Sequence, residues 1–377
     1  LTLIPLGIYA NALPYDTDAE LAHKAWFFSL HKTLGVTVFF VSLARIIWAL
    51  NQPKPALLNA NRKLESFAAE TVHWLLYGSL LLVPLSGWVH HAATEGFAPI
   101  WWPFGQNLPL VPKSEGLAAT TAGLHIVFER VLAASILLHL AGALKHHFVD
   151  GDATLRRMLP GRPALPPLQG AHRVVAPIAG AVVVWSAALL IGSALHVYER
   201  HDSPAVEVAA LDDVQSDWQV LEGGIAITVT QLGTEVTGSF SDWTAAISFD
   251  ENITEGVAGS VDVTISIGSL TLGSVTGQAM GTDFFDAATF PTATYTADIL
   301  ATSDGHRLDG TLTIKDETVP VSMPFELQIS EGVASASGRT SLNRMDFGIG
   351  ATSQPTESNL GFDVGIATSL TAANTSR

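Results

Sequence analysis

The chain of 377 residues contains no cysteine. That excludes disulfides, thiol nucleophiles, Cys-ligated iron–sulfur clusters and thioether-attached haem. Positive charge is nearly missing from the second half: residues 201–377 hold 5 Lys+Arg against 24 Asp+Glu, a net of −19. Such a surface repels phosphate, so nucleic acid is excluded as a partner. Histidine is also scarce there. Only His201 and His306 occur, and His306 in "SDGHRLDG" reads as a solvated turn, so neither a Ser–His–Asp set nor metal-ligand spacing emerges. Residues 1–200 differ, with 14 Lys+Arg against 11 Asp+Glu. The split predicts two regions in different surroundings.

What the first half has is long apolar runs. Four of them, Ala25–Leu50, Ala68–His90, Ala118–Phe148 and Val174–Val197, reach the ~20 residues a helix needs to cross a bilayer. A fifth piece, "LTLIPLGIYANAL", is shorter than a span and lacks the basic start of a signal peptide. It reads as the tail of a transmembrane helix, with an interfacial segment as the alternative. Basic residues cluster in "NQPKPALLNANRKLES" (Lys54, Arg62, Lys63) and after Phe148 (Arg156, Arg157, Arg162, Arg173). The positive-inside rule makes these loops cytoplasmic. The acidic loop "YDTDAELAHK" and the loop 92–116, with Trp101 and Trp102, then face outward. The last span delivers the acidic half to the outside.

Histidines inside such runs are costly and point to function. His31 and His125 lie near the outer ends of two spans, each about 10 Å in from that surface at ~1.5 Å per residue. His139 follows His125 by fourteen residues, about 21 Å along the same helix face. Two neutral imidazoles from facing helices and an apolar slot are what a b-type haem requires. His31 with His125 meets that requirement; the plainer alternative is a hydrogen bond to a neighbouring helix. His139 needs a partner at the inner end of another span. His73 is the candidate within this sequence, with a supporting or quinol-site role as the other reading. His90, His91, His146 and His147 fall at helix ends, where imidazole is easily solvated. Arg45, fourteen residues after His31, reads either as a haem-propionate partner or as a snorkelling positive-inside arginine.

"LHKTLG" with "LARIIWAL", "HWLLYGSLLLVPLSGW", the His125–His139 spacing and "KHHFVDGDATLRRMLPG" together resemble the bacterial cytochrome b561 family over residues 1–160. The resemblance implies four helices holding two b haems, with His31, His125 and His139 matching ligand positions. The family's fourth ligand, in an early "HW", has no counterpart here, so the second haem lacks one ligand in this sequence. It also implies electron exchange with quinol or quinone, with superoxide oxidation in some members.

The second half alternates at period two: "GIAITVTQLG", "EVTGSFSDW", "GSVDVTISIGSL", "TATYTADILAT", "GTLTIKDETVPVSMPFELQIS", "DVGIATSLTA". This predicts seven to nine strands in an antiparallel barrel or sandwich. "SDWQV", "GTDFFDAATFPTATYTA", "LDGTLTIKDETVPVSMPFEL" and "NRMDFGIG" resemble the YceI-like family. That implies a lipocalin-like barrel in the periplasm, binding a polyisoprenoid such as a quinone. Trp218, Phe240, Phe284, Phe285 and Phe347 are the candidate lining residues, against ordinary core packing. Where the family often carries Arg-Asp and His before "DFFD", this sequence has "TGQAMG".

The expected architecture is multi-domain. An all-α transmembrane four-helix haem-binding bundle with one extra transmembrane helix precedes an all-β antiparallel lipocalin-like barrel. The division is 1–160 for the bundle, 161–200 for a cytoplasmic loop and the added helix, 201–216 for a linker and 217–374 for the barrel. The expected function is electron transfer to or from quinone at a bacterial inner membrane, coupled to a periplasmic barrel binding an isoprenoid quinone or related lipid. A homodimer is compatible with it. The alternative is a non-catalytic lipid carrier or stress-response module tethered by a redox-sensing anchor.

Overall fold

A computed structural model describes residues 2–52, 62–151, 174–198 and 208–375. Lys54, Arg156, Arg157, Arg162, Arg173 and His201 lie outside the described residues. Two compact units result, one holding most of the helices and the other holding the sheet; each is described by itself.

The helices are α1 (Leu3–Ala12), α2 (Asp18–Leu50), α3 (Lys63–Ala93), α4 (Glu115–Phe148) and α5 (Val175–Ala194). Among the described residues, α2 to α5 are long and apolar enough to cross a membrane, while α1 is a shorter apolar helix. Their ends follow local chemistry. Thr17 and Glu20 form a reciprocal capping box before α2: Glu20 N–H donates to Thr17 Oγ1 at 3.3 Å and Thr17 N–H to Glu20 Oε2 at 3.2 Å. Ser114 caps α4 by accepting from Leu117 N. Lys145, His146 and His147 stand in the last turn of α4, where the helix dipole favours cations. Large apolar side chains such as Trp48, Leu137, Leu138, Val183 and Leu190 are exposed along these helices. In water that would be an unusually large apolar surface; lipid tails solvate it without cost.

Between helices the contacts are small, as membrane packing favours. Ala181 and Ser79 are fully buried, and Trp185 of α5 lies directly on Gly78 and donates its indole N–H to Ser79 Oγ at 3.3 Å. An ionic cluster ties the start of α3 to the end of α4: Lys145 reaches Glu65 at 2.6 Å, and Arg62 reaches Asp150 at 2.9 Å.

The sheet has ten antiparallel strands in the order β3-β4-β6-β7-β8-β9-β10-β1-β2-β5. The strands are β1 (Trp218–Gln231), β2 (Thr234–Phe240), β3 (Trp243–Phe249), β4 (Gly256–Ser266), β5 (Leu270–Thr271), β6 (Thr292–Thr302), β7 (Gly305–Ile314), β8 (Glu317–Ser330), β9 (Val333–Asn343) and β10 (Leu360–Asn374). Strands β2 and β3 are separated only by Ser241 and Asp242, and β4 and β5 only by Ile267–Ser269. The two connecting segments turn this corner together, Ser266 N–H donating to the Asp242 carbonyl at 3.0 Å. The sheet thereby curls until β3 meets the start of β1, where Asp217 N–H donates to the Ile247 carbonyl at 3.0 Å. Alternation places Ala293, Tyr295, Ala297, Ile299 and Ala301 of β6 inside.

Ten strands exceed the expected seven to nine for two reasons. β5 is two residues long, and "GTLTIKDETVPVSMPFELQIS" folds back on itself. Its turn is Lys315–Asp316, with Lys315 at φ +56° and Ile314 opposite Glu317. Lys-Asp is a poor turn signal, and cross-strand pairing imposes the left-handed residue. His306 also differs from expectation. It belongs to β7 opposite Phe325, with its ring 5.6 Å from that of Phe325 and 5.9 Å from Phe249. The turn is formed by the preceding Ser303 and Asp304.

Candidate functional site

Helix α2 carries His31 and α4 carries His125, and the fold brings their rings to a centroid separation of 6.4 Å, nearly perpendicular at 83°. Each imidazole is held by the same device. His31 Nδ1 lies 3.1 Å from the Leu3 carbonyl oxygen, and His125 Nδ1 lies 2.8 Å from the Val83 carbonyl oxygen. A carbonyl can only accept, so Nδ1 carries the proton in both rings. One helical turn after each accepting carbonyl stands a glycine: Gly7 after Leu3, Gly87 after Val83. A Cβ on Gly7 would lie 2.8 Å from His31 Cε1, and one on Gly87 would lie 2.9 Å from His125 Nδ1. The missing side chains form two notches into which the imidazoles fit.

This donor set suits a metal held between two histidines. A fixed Nδ1–H donor leaves Nε2 as the neutral lone pair, and such orientation by a carbonyl is typical of ligating imidazole. Two imidazoles sharing one metal at about 2 Å from each nitrogen have ring centres roughly 6 Å apart, close to the 6.4 Å seen here. Gly35, one turn beyond His31, and Gly142, three residues beyond His139, have nothing within 4 Å of where a Cβ would stand. Open space beside these histidines is what a macrocycle needs.

The rings of His73 and His139 are 5.1 Å apart at 67°. That is about 1 Å closer than two imidazoles on opposite sides of one metal require; here they touch one another. His90 donates Nδ1–H to the Ala118 carbonyl at 2.8 Å and lies 4.6 Å from the His91 ring. His146 Nδ1 is 3.2 Å from Asp150 Oδ2 within the ionic cluster. Asp150 lies just beyond α4, and its carboxyl is held below the ordinary range by hydrogen bonds from Arg62 and Lys145. Arg45 is exposed. Two residues escaped the sequence reading. Lys32, beside His31, is only 6% exposed. Glu129, one turn beyond His125, is half-buried; its Oε2 lies 3.5 Å from Arg130 Nε, while its buried Oε1 has no hydrogen-bond partner among the described residues. The signal was present: Glu129 and Arg130 interrupt the apolar run "LHIVFERVLAASILLHL", and ionisable groups at that depth call for explanation.

The curled sheet encloses a cavity of about 230 Å³ bordered by Phe240, Phe284, Phe285 and Phe347 together with aliphatic side chains. A second cavity of about 90 Å³ is bordered by Trp218, Ile247, Phe249 and Phe325. Val261, Leu308, Met323, Thr368 and Leu370 border both and form the wall between them. The larger exceeds the ~150 Å³ of an apolar protein cavity known to take benzene. Tyr295 borders it with its hydroxyl donated to the Val321 carbonyl at 3.1 Å, and burial pushes that phenol up to about 12.

Comparison with known proteins separates the same two regions. Residues 1–161 match the family model "Prokaryotic cytochrome b561", and residues 211–372 match "YceI-like domain". Cytochrome b561 homolog 2 of Escherichia coli (strain K12) is 28% identical over 161 residues, covering 42% of this chain and 81% of the relative. Probable superoxide oxidase CybB of Yersinia pestis is 27% identical over 161 residues, covering 42% and 90%. The crystal structure of Burkholderia cenocepacia BcnA matches 42% of this chain and 100% of its own, with 26% identity and a TM-score of 0.39. The cytochrome b561 relatives imply a b-type haem in the helical region, and the four long apolar helices accord with a membrane protein.

Proposed function

We propose, on the premise that residues 1–161 are a prokaryotic cytochrome b561 region and residues 211–372 a YceI-like domain, that the chain is a quinone-reactive membrane cytochrome carrying its own isoprenoid-binding barrel. The observation that carries this reading is the His31–His125 pair, each ring seated over a glycine and pinned by a backbone carbonyl. In this reading His31 and His125 would together hold one haem. A b-type haem bound there supplies a one-electron ferric–ferrous couple. Leu3 and Val83 fix ring orientation and keep Nε2 unprotonated, Gly35 leaves room at the side of His31, and the apolar faces of α2 to α4 keep water out.

His139 serves a second haem nearer the other membrane face, and His73 beside it supports that site or a quinol. The short spacing between their rings favours this role for His73 over direct ligation. The basic residues around Arg62 and Lys63 support a cytoplasmic location for that side, and with it a barrel in the periplasm of a bacterial inner membrane protein. The barrel binds an isoprenoid quinone or related polyisoprenoid, its apolar cavity taking the tail. One curated relative is named a probable superoxide oxidase, so superoxide belongs among the electron donors to be tried.

The test is reduction of the purified full chain, followed at the haem α-band, by a quinol and separately by superoxide. Reduction within seconds by either supports electron transfer. Reduction by dithionite alone would favour the other reading, a lipid carrier on a redox-sensing anchor. Solvent extraction and mass spectrometry of the same preparation should recover a polyisoprenoid.

A further inference from the structure

We infer that the larger cavity of the barrel ends in a head-group subsite for a neutral, oxygen-bearing isoprenoid, built from the amides of Gln231 and Gln354. The inference rests on reading the barrel as an isoprenoid binder and adds which head group it accepts. Both side chains border the cavity. Gln354 is 1% exposed and Gln231 4%, yet among the described residues neither Nε2 nor Oε1 of Gln354, nor Oε1 of Gln231, has a hydrogen-bond partner. An unpaired amide next to apolar surface is costly to keep. Packing alone is better served by leucine or methionine, so these amides call for a polar occupant.

The two glutamines stand at one end of the cavity. Gln231 pairs with Leu360 across β1 and β10. The carbonyls of Leu360 and Gln354 both accept from Arg344 Nη2, at 3.1 and 2.6 Å. Around Gly350, the place a Cβ would take is 2.9 Å from Arg344 Nη1, 3.2 Å from Phe284 Cε1 and 3.6 Å from Gln354 Cβ. The wall shared with the Trp218 cavity is mostly aliphatic, with Thr368 its one hydroxyl. An isoprenoid tail fits toward Trp218 and its head toward Gln354.

Charge decides the kind of head. Arg344 is the one charged side chain bordering the cavity among the described residues. Its donors are already committed: Nε to the Gly361 carbonyl, Nη1 to the Ile349 carbonyl and Met345 Sδ, Nη2 to the carbonyls of Gln354, Thr356 and Leu360. No donor remains for a phosphate. The nearby Asp283 carboxylate, which accepts from Thr352 N, Ser353 N and Ser353 Oγ, adds negative charge. A diphosphate would meet no free cation and a carboxylate at the same end. A neutral carbonyl or hydroxyl is matched, since Gln354 Nε2 donates to a quinone oxygen and either Oε1 accepts from a quinol or alcohol.

The experiment uses the full chain in micelles and three probes sharing one geranyl tail: geranyl benzoquinone, geraniol and geranyl diphosphate. The quinone and the alcohol should bind at least tenfold more tightly than the diphosphate. Gln354→Met and Gln231→Met should each weaken quinone and alcohol binding by about tenfold, as expected for one lost hydrogen bond to a desolvated partner. Neither substitution should change diphosphate binding. Each variant should melt at the same temperature as the parent or higher without ligand, because an unpaired amide has been removed; a purely structural amide would lower it. If all probes bind alike and both variants leave affinity unchanged, the barrel remains an isoprenoid binder and this subsite is overturned. Preferred diphosphate binding overturns it too. If no geranyl probe binds, the isoprenoid reading itself falls and takes the subsite with it.

Discussion

Replacing Gly87 by alanine puts a methyl where the His125 ring now lies. The new Cβ would stand 2.9 Å from Nδ1 and 3.0 Å from Cε1, against ordinary contacts near 3.5 Å or more. The ring must retreat by roughly half an ångström, which stretches the 2.8 Å hydrogen bond to the Val83 carbonyl to the weak end of the range. Weakening that bond costs up to about 1 kcal/mol, and the overpacking about 1–3 kcal/mol. Together they act against the ligating orientation by about 1–4 kcal/mol, which is roughly 5- to 1,000-fold in haem affinity. The assay is haem titration of apoprotein, with the low-spin spectrum read alongside. Gly78→Ala is the control, because its methyl meets Trp185 and no histidine; it should lower thermal stability without shifting the spectrum. A Gly87→Ala protein with parental haem affinity and spectrum would refute the notch argument.

His31→Ala and His125→Ala should each abolish the same haem and leave identical residual spectra, as redox titration of the two variants would show; two different residual spectra would separate the pair. Asp283 titrates below the ordinary carboxylate value: burial by itself raises its pKa, but hydrogen bonds from Ser353 and Thr352 outweigh that. Its contribution to barrel stability is therefore present at neutral pH and lost as pH falls through the lowered value. Asp283→Asn should flatten the decline in barrel melting temperature below about pH 4, measured by circular dichroism against the parent. Met323→Ala should remove part of the wall between the two cavities, cost about 2–5 kcal/mol, and shift preference toward longer prenyl chains in a tail-length series.

Much of the architecture was legible because it rests on periodicity and length. Four runs of about 20 or more apolar residues predict the spans, and alternation predicts the strands. The glycine notches were not legible. They depend on which carbonyl faces which histidine across helices, and Leu3 is 28 residues from His31 while Val83 is 42 from His125. The sequence shows Gly7 and Gly87 only as two glycines among 32. The unpaired amides of Gln231 and Gln354 were hidden for a related reason, since a glutamine at a strand end or in a loop normally reads as solvated. His306 was misplaced because Asp-Gly marks a turn but does not say on which side of it the strand resumes. Glu129 was legible and was passed over, its charge masked by the histidines around it in the run.

If the barrel holds a long lipid, as proposed, the seam of the curled sheet governs how it enters and leaves. β1 pairs with β2 only from Ile225 onward, and its earlier half meets β3 without a ladder: Asp217 N–H and the Trp218 indole donate to the Ile247 and Phe249 carbonyls, the side chains of Ser216 and Asp217 accept from Ile247 N–H and the Ser248 hydroxyl, and Trp243 packs against Gly223. Every other strand boundary except the short β5 is a ladder of six or more residue pairs. Parting those ladders would cost many hydrogen bonds at once; parting the β1–β3 edge near Gly223 costs few. A flexible chain need not be drawn lengthwise through a narrow opening, because it can slip in broadside there like a cord pressed into a slotted tube. Exchange then depends on how easily that slot opens rather than on tail length, and a cross-link between β1 and β3 would trap whatever the tube holds.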